Sequence, residues 1–221
     1  MNIKKKYMLT GIGIGIAVLA FLFTFALLLG PTRGTKIQHY TTPKKALLVI
    51  DMQEDYIGKT AKAPFPYKNA SDLVISVNLC IEKARQLNWN VIYIRQEFDG
   101  VIGRAITNVF SHGTAKKGQP GTEIDSRINI ISDQIFGKPK GDSFSNPDFE
   151  KYLVENRIDQ LVLCGLDAEF CIYHTAIGAA NRGYKVTIVS DAIAMKDQNK
   201  LGNMLRKYEN KGFALMRTGE I

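Results

Sequence analysis

Residues 46–56 read ALLVIDMQEDY, and the change of character at Asp51 decides how the rest of the chain is read. Residues 46–50 are an unbroken apolar run, the pattern of a strand covered on both faces. Working outward, similar short runs recur at 91–94 (VIYI), 134–136 (QIF), 161–164 (LVLC), 186–189 (VTIV) and 213–216 (FALM). Between them lie stretches with helical spacing. These are 71–87 with Ser71 as N-cap, 147–156, 169–182 ending near Gly183, and 199–210. Residues 96–133 are weakly periodic and contain several glycines, and they read as a long loop region with one short helix. Strands that alternate with helices predict an α/β fold: an open parallel six-stranded sheet with helices on both faces, in one domain over 46–221.

Ahead of that domain, residues 9–29 read LTGIGIGIAVLAFLFTFALLL, 21 residues without a charge. At 1.5 Å per residue such a helix matches a hydrocarbon core of ~30 Å. A cleaved signal peptide would have a shorter apolar core and a small-residue cleavage site, and Leu28-Leu29-Gly30-Pro31 offers none. The expectation is therefore a transmembrane signal-anchor helix over 9–29. A basic flank (1–8) precedes it and a polar linker (30–45) follows. Lys4, Lys5 and Lys6 favour a cytoplasmic N-terminus and an extracytoplasmic domain. The formal net charge of +8 belongs largely to this region. Residues 1–45 hold seven basic and no acidic side chains, and removing those seven from 29 leaves 22 basic against 21 acidic residues. A near-neutral domain does not present a nucleic-acid surface.

In open α/β sheets, ligands bind beyond the carboxyl ends of the strands. Three residues with chemistry fall there: Asp51 after the first strand, Lys138 after the strand at 134–136, and Cys171 after LVLC at a helix start. Cysteine attacks as a thiolate, and a helix N-terminus or a nearby ammonium lowers a thiol pKa. An acid beside it takes the thiol proton and returns it to a leaving group. Each residue also has a plain structural reading: a turn acid, a surface lysine, a core cysteine. Cys80 and Cys164 fall in an amphipathic helix and at a strand end, and read as core thiols. Three cysteines without a C-x-x-C pair argue against a disulfide framework or a zinc site. No P-loop, dinucleotide fingerprint or H-E-x-x-H motif is present.

Four segments in order, ALLVIDMQEDY (46–56), PGTEI (120–124), KPKGDSF (138–144) and GLDAEFCIYHTAIGAANRGYKVTIVSDAIA (165–194), resemble the motifs of isochorismatase-like cysteine hydrolases, a family that also contains nicotinamidases. The resemblance runs from about Ala46 to Met216. It implies a six-stranded parallel sheet bearing a Cys171–Asp51–Lys138 triad, with Lys140 as the alternative lysine. It further implies an oxyanion site built from the backbone N–H groups of Asp167 and Cys171, a thio-acyl intermediate, and Tyr56 lining a small-molecule pocket. The nicotinamidase metal motif is missing after the second strand, where the chain reads RQEFD, so no cofactor or metal is expected. The segment Asp167-Ala168-Glu169 departs from the common Ala-Thr-Asp. A carboxylate at Asp167 repels an oxyanion, selects a cationic substrate, or points away into solvent. His174, one helical turn past Cys171, reads as structural or substrate-facing. Three functions follow: cleavage of a small amide or related C–N bond, vinyl-ether hydrolysis of an isochorismate-type substrate, or a non-catalytic membrane-tethered binding module. Relatives commonly form dimers or tetramers, so a homo-oligomer is expected to be compatible with this chain.

Overall fold

The computed structural model describes residues 15, 30–61, 67–110 and 112–221. Its six strands are β1 (Lys44–Ile50), β2 (Asn90–Gln96), β3 (Ile135–Lys138), β4 (Ile158–Gly165), β5 (Lys185–Ile193) and β6 (Ala214–Met216). They form one sheet in the order β3-β2-β1-β4-β5-β6, and every neighbouring pair is parallel. The helices are α1 (Glu54–Ile57), α2 (Ala70–Gln86), α3 (Gly100–Phe110), α4 (Pro147–Glu155), α5 (Cys171–Asn181) and α6 (Leu201–Asn210).

The central strand explains why its sequence is continuously apolar. Successive side chains of a strand point to opposite faces. Leu47 and Val49 enter one core with Leu73, Val74, Val77, Ile81 and Ala84 of α2. Ala46, Leu48 and Ile50 enter the other, with Phe149 and Leu153 of α4, Ile172 and Ala176 of α5, and Met204 and Tyr208 of α6. Both faces are thus helix-covered, and burial of each large side chain contributes about 1.5–3 kcal/mol.

Several boundaries differ from the expectation, each for a local reason. Helix α2 starts at Ala70, so Ser71 lies in its first turn and Asn69 is the cap position, without a side-chain cap bond. Helix α5 starts at Cys171 rather than Glu169, because Asp167 Oδ1 accepts from the Glu169 N–H and holds residues 167–170 in a separate turn. Helix α6 starts at Leu201, after a 3₁₀ turn capped by Asp197. The expected loop region at 96–133 contains the eleven-residue α3.

The expected linker is also different in kind. Strand β1 begins at Lys44, and residues before it lie on the domain as a strap. Thr32 donates from its backbone N–H (2.6 Å) and its hydroxyl (2.7 Å) to Asp142 Oδ2. Arg182 Nη1 donates to Thr32 Oγ1 at 3.0 Å, and Asn181 Nδ2 to the Thr32 carbonyl at 2.8 Å. The Ile37 N–H reaches the Arg182 carbonyl at 2.8 Å, and its side chain packs on the core. Asp142 and Arg182 are both buried, and buried charges of this kind persist only when paired. Of residues 9–29 only Gly15 is described, so the signal-anchor expectation lies outside the described residues. Among the described residues no helix is long and apolar enough to cross a membrane.

Candidate active site

The strand order reverses between β1 and β4, which leave the centre of the sheet side by side. Such a switch point is where open α/β sheets collect ligands. Asp51 follows β1 there with φ of 55°, a left-handed conformation uncommon outside glycine and frequent where function demands it. Its N–H donates to the Ile94 carbonyl at 2.9 Å, pinning the turn to β2. On the neighbouring strand, Gly165 has φ of 107°, and a Cβ there would lie 2.2 Å from the Ile50 carbonyl oxygen. Only glycine lets β4 end this close to β1 and redirect the chain toward Cys171.

The three sequence-predicted residues meet at one atom. Lys138 Nζ lies 2.9 Å from Asp51 Oδ2, 3.2 Å from Cys171 Sγ and 2.5 Å from Gln96 Oε1. An ammonium has three protons to donate, and all three have acceptors here. Lys138 is the last residue of β3 rather than one beyond it, and is fully buried. Lys140, the alternative lysine, takes no part in this cluster.

Gln96 was not singled out by the sequence. It ends β2 as Asp51 follows β1, and its amide Nε2 also donates to the Lys138 carbonyl at 2.9 Å. Gln53, equally unforeseen, is fully buried. It accepts from the Gln96 N–H at 2.7 Å and donates to the Gln96 and Thr122 carbonyls. The signal available was position alone: polar residues at the ends of buried strands.

The electrostatics run against an isolated activated thiol. Burial pushes the Cys171 thiol pKa up, and the Asp51 charge adds to this while Lys138 opposes it. Burial likewise raises the Asp51 carboxyl, against the Lys138 ammonium. Burial disfavours the Lys138 ammonium, but Asp51 and Cys171 more than compensate and its pKa rises. Lys138 Nζ and Asp51 Oδ2 stand at ion-pair distance, 2.9 Å, and burial favours the neutral form of the thiol beside them. Moving the thiol proton to Asp51 leaves the net charge of the cluster unchanged. Among the described residues Asp51 Oδ1 is buried without a partner in hydrogen-bond geometry, although the Cys171 thiol and the Gln96 N–H both bear on the carboxylate.

Around the thiol, the turn 166–170 is held from three sides. The Leu166 N–H donates to Ile50, the Ala168 N–H to Ala194, and the Tyr208 hydroxyl to the Ala168 carbonyl. Among the described residues, no backbone carbonyl accepts from the Asp167 or Cys171 N–H. Tyr56 in α1 is close enough to Asp51 and Cys171 that both charges raise its phenol pKa, after burial. His174 is partly buried, its pKa lowered by burial and then by Lys138 and Lys207, and its Nδ1 lies against Gly141. Asp167 does not point into solvent: it is 8% exposed, and its Oδ2 accepts from the Tyr67 hydroxyl at 2.8 Å. The other two cysteines, Cys80 and Cys164, are buried free thiols in the core on the α2 face of the sheet.

Comparison with known proteins places the arrangement in a family. The family model described as the Isochorismatase domain matches residues 45–220. The isochorismatase family protein YaaI of Bacillus subtilis is 28% identical over 180 residues, covering 80% of this chain and 94% of its own. An Arabidopsis thaliana protein described as a probable inactive nicotinamidase is 31% identical over 159 residues, 67% of this chain and 80% of its own. The crystal structure of N-carbamoylsarcosine amidase from Thermoplasma acidophilum superposes with a TM-score of 0.68 at 27% identity, over 80% of this chain and 98% of that one. With the match spanning the sheet, its helices and the meeting point of Asp51, Lys138 and Cys171, the chain belongs to the isochorismatase-like hydrolase family.

Proposed function

We propose that this chain hydrolyses a small-molecule amide or related C–N bond, with Cys171 as nucleophile, Asp51 as proton carrier and Lys138 as the fixed positive charge. The observation that supports this most directly is the convergence of Asp51, Gln96 and Cys171 on Lys138 Nζ. Asp51 takes the thiol proton as sulfur attacks the substrate carbonyl carbon. The carbonyl oxygen becomes an oxyanion facing the Asp167 and Cys171 N–H groups, donors worth roughly 10²–10³ in rate each. Asp51 then gives its proton to the departing nitrogen, and the C–N bond breaks to leave a thioester. Water, deprotonated by Asp51, adds to the thioester carbonyl, and the thiol leaves with its proton restored. Lys138 stays charged throughout and keeps Asp51 from holding the proton too tightly.

A solved relative whose name gives it as an amidase is in keeping with this chemistry. A second reading, a binding module without turnover, is favoured by the relative described as probable inactive. The vinyl-ether reading needs no cysteine nucleophile. Incubation with a panel of small primary amides, followed by mass spectrometry, separates the three. The expected result is free ammonia plus an acyl adduct on Cys171, both absent in Cys171→Ala. Full turnover in Cys171→Ser would move the vinyl-ether reading ahead. A thiol that alkylates but never acylates would favour the binding module. We further propose that residues 9–29 anchor the chain in a membrane with the domain on the extracytoplasmic side, a reading that rests on their uncharged length and basic flank.

A further inference from the structure

We infer that Asp167 sets the charge of the ligand: the site favours uncharged or cationic molecules at Cys171 and disfavours carboxylates. The inference deepens the proposed reading of Cys171 as the reactive group and rests on it. Both oxygens of the Asp167 carboxylate act as acceptors, Oδ2 from the Tyr67 hydroxyl (2.8 Å) and Oδ1 from the Glu169 N–H (2.7 Å); burial raises the carboxyl pKa, and these donors oppose it by favouring the ionised form. The Phe170 N–H also bears on this carboxylate, and since an ionised carboxylate accepts about four hydrogen bonds, capacity is left for a ligand. Tyr67 joins the two groups in space, since the charges of both Asp167 and Cys171 act on its phenol. Asp167 stands in the turn just ahead of Cys171, where its carbonyl accepts from the Ile172 N–H at 3.0 Å, and its own N–H faces the reacting atoms under the proposed mechanism.

Several cations of this edge are already engaged. The three donors of Lys138 are occupied by Asp51, Gln96 and Cys171. On the same side of the sheet, Arg95 is paired with Glu97 (2.8 Å) and Glu123 (2.6 Å), and Lys117 with Asp99 (3.0 Å). Lys207 is held over the Tyr173 ring at 4.0 Å. On the other wall, Asp55 adds negative charge beside Tyr56. A substrate carboxylate approaching Asp167 meets negative charge in partly desolvated surroundings, where Coulomb interactions are several-fold stronger than in water.

Methanethiosulfonate reagents of three charges test this without knowledge of the substrate. The full chain in non-ionic detergent is treated with the trimethylammonium, methyl and sulfonate forms. In each reaction the Cys171 thiolate forms an S–S bond and a sulfinate leaves. Mass spectrometry reads the rate at Cys171, and a small free thiol gives the reference ratio. The cationic-to-anionic rate ratio should exceed the reference by about tenfold, the effect of one nearby charge at intermediate dielectric. Asp167→Asn, which keeps the size and the acceptor for the Glu169 N–H, should lower the ratio toward the reference. Tyr67→Phe keeps the carboxylate and should keep the preference. An unchanged ratio in Asp167→Asn, or an equal loss in Tyr67→Phe, overturns the inference, because shape rather than charge would then decide. Cys171 refusing all three reagents overturns it together with the nucleophile assignment. A charge preference without any amide turnover removes the amidase reading and leaves this one standing.

Discussion

The two ends of helix α5 carry two buried charged clusters, and they are built on opposite principles. At its C-terminal end, Asp142, Arg182, Glu150 and Thr32 form a closed set. Asp142 Oδ2 accepts twice from Thr32 and Oδ1 accepts from the Phe144 N–H, while Arg182 meets Glu150 (2.8 Å), Thr32 and two backbone carbonyls. At its N-terminal end, Asp51 keeps an unpartnered oxygen and sits at a left-handed φ, and Cys171 presents a thiol beside an N–H that meets no backbone carbonyl. A fully satisfied polar network fixes shape, whereas an incompletely satisfied one keeps capacity for a reacting group. The same helix thus has one end that serves architecture and one that serves chemistry.

The comparison breaks most visibly at the thiol. Cys171→Ala is expected to cut turnover by about 10⁴-fold or more, with the unfolding transition in urea little changed. Turnover within tenfold of the original would mean that the N-terminal end is not chemical. Next, Lys138→Ala strands the buried Asp51 carboxylate, and breaking a buried pair typically costs about 3–5 kcal/mol. Urea titration of that variant should show it. At the other end, a chain starting at Pro43 lacks Thr32, leaving Asp142 Oδ2 with two donors fewer. The expected loss is about 2–4 kcal/mol from stranded buried groups, measured by the same titration. No loss would show that the strap is dispensable and the cluster not closed by it.

A pH experiment sharpens the difference further. Burial and Asp51 hold the Cys171 thiol above its ordinary range, so its alkylation rate should keep rising with pH past the point where a free cysteine levels off. Because Asp51 raises this pKa and Lys138 lowers it, Asp51→Asn should speed alkylation at pH 8, by about tenfold for each unit of pKa. The same variant should abolish turnover. Slower alkylation in Asp51→Asn would show that the carboxylate assists thiolate formation at rest rather than during attack. The smallest effect is expected for Thr32→Val. It removes one of two bonds to Asp142 Oδ2 and keeps the backbone donor, for about 1 kcal/mol.

The sequence and the structure agree where a physical period links residue to place. Unbroken apolar runs marked β1, β2, β4 and β5, because a strand buried on both faces admits little else. Asp51, Lys138 and Cys171 could be gathered on one sheet edge from chain order alone, and the structure brings them together. Gln96, Tyr67 and the strap were illegible for one reason. Their partners lie far away in sequence, 42 residues from Gln96 to Lys138, 100 from Tyr67 to Asp167 and 110 from Thr32 to Asp142. No period connects polar residues at such separations. For the thiol, a helix terminus and a lysine, which lower its pKa, are visible in sequence, whereas burial, which raises it, is not.

Under the proposed anchoring, the strap would do more than hold the domain nearby. A body held by a loose cord is restrained in position and free to turn. Here the chain is bonded to the domain from Thr32 onward, so rotation about the attachment is restricted as well. Under that anchoring, the domain would receive orientation as well as position through Thr32, and the edge that carries Cys171 would share it.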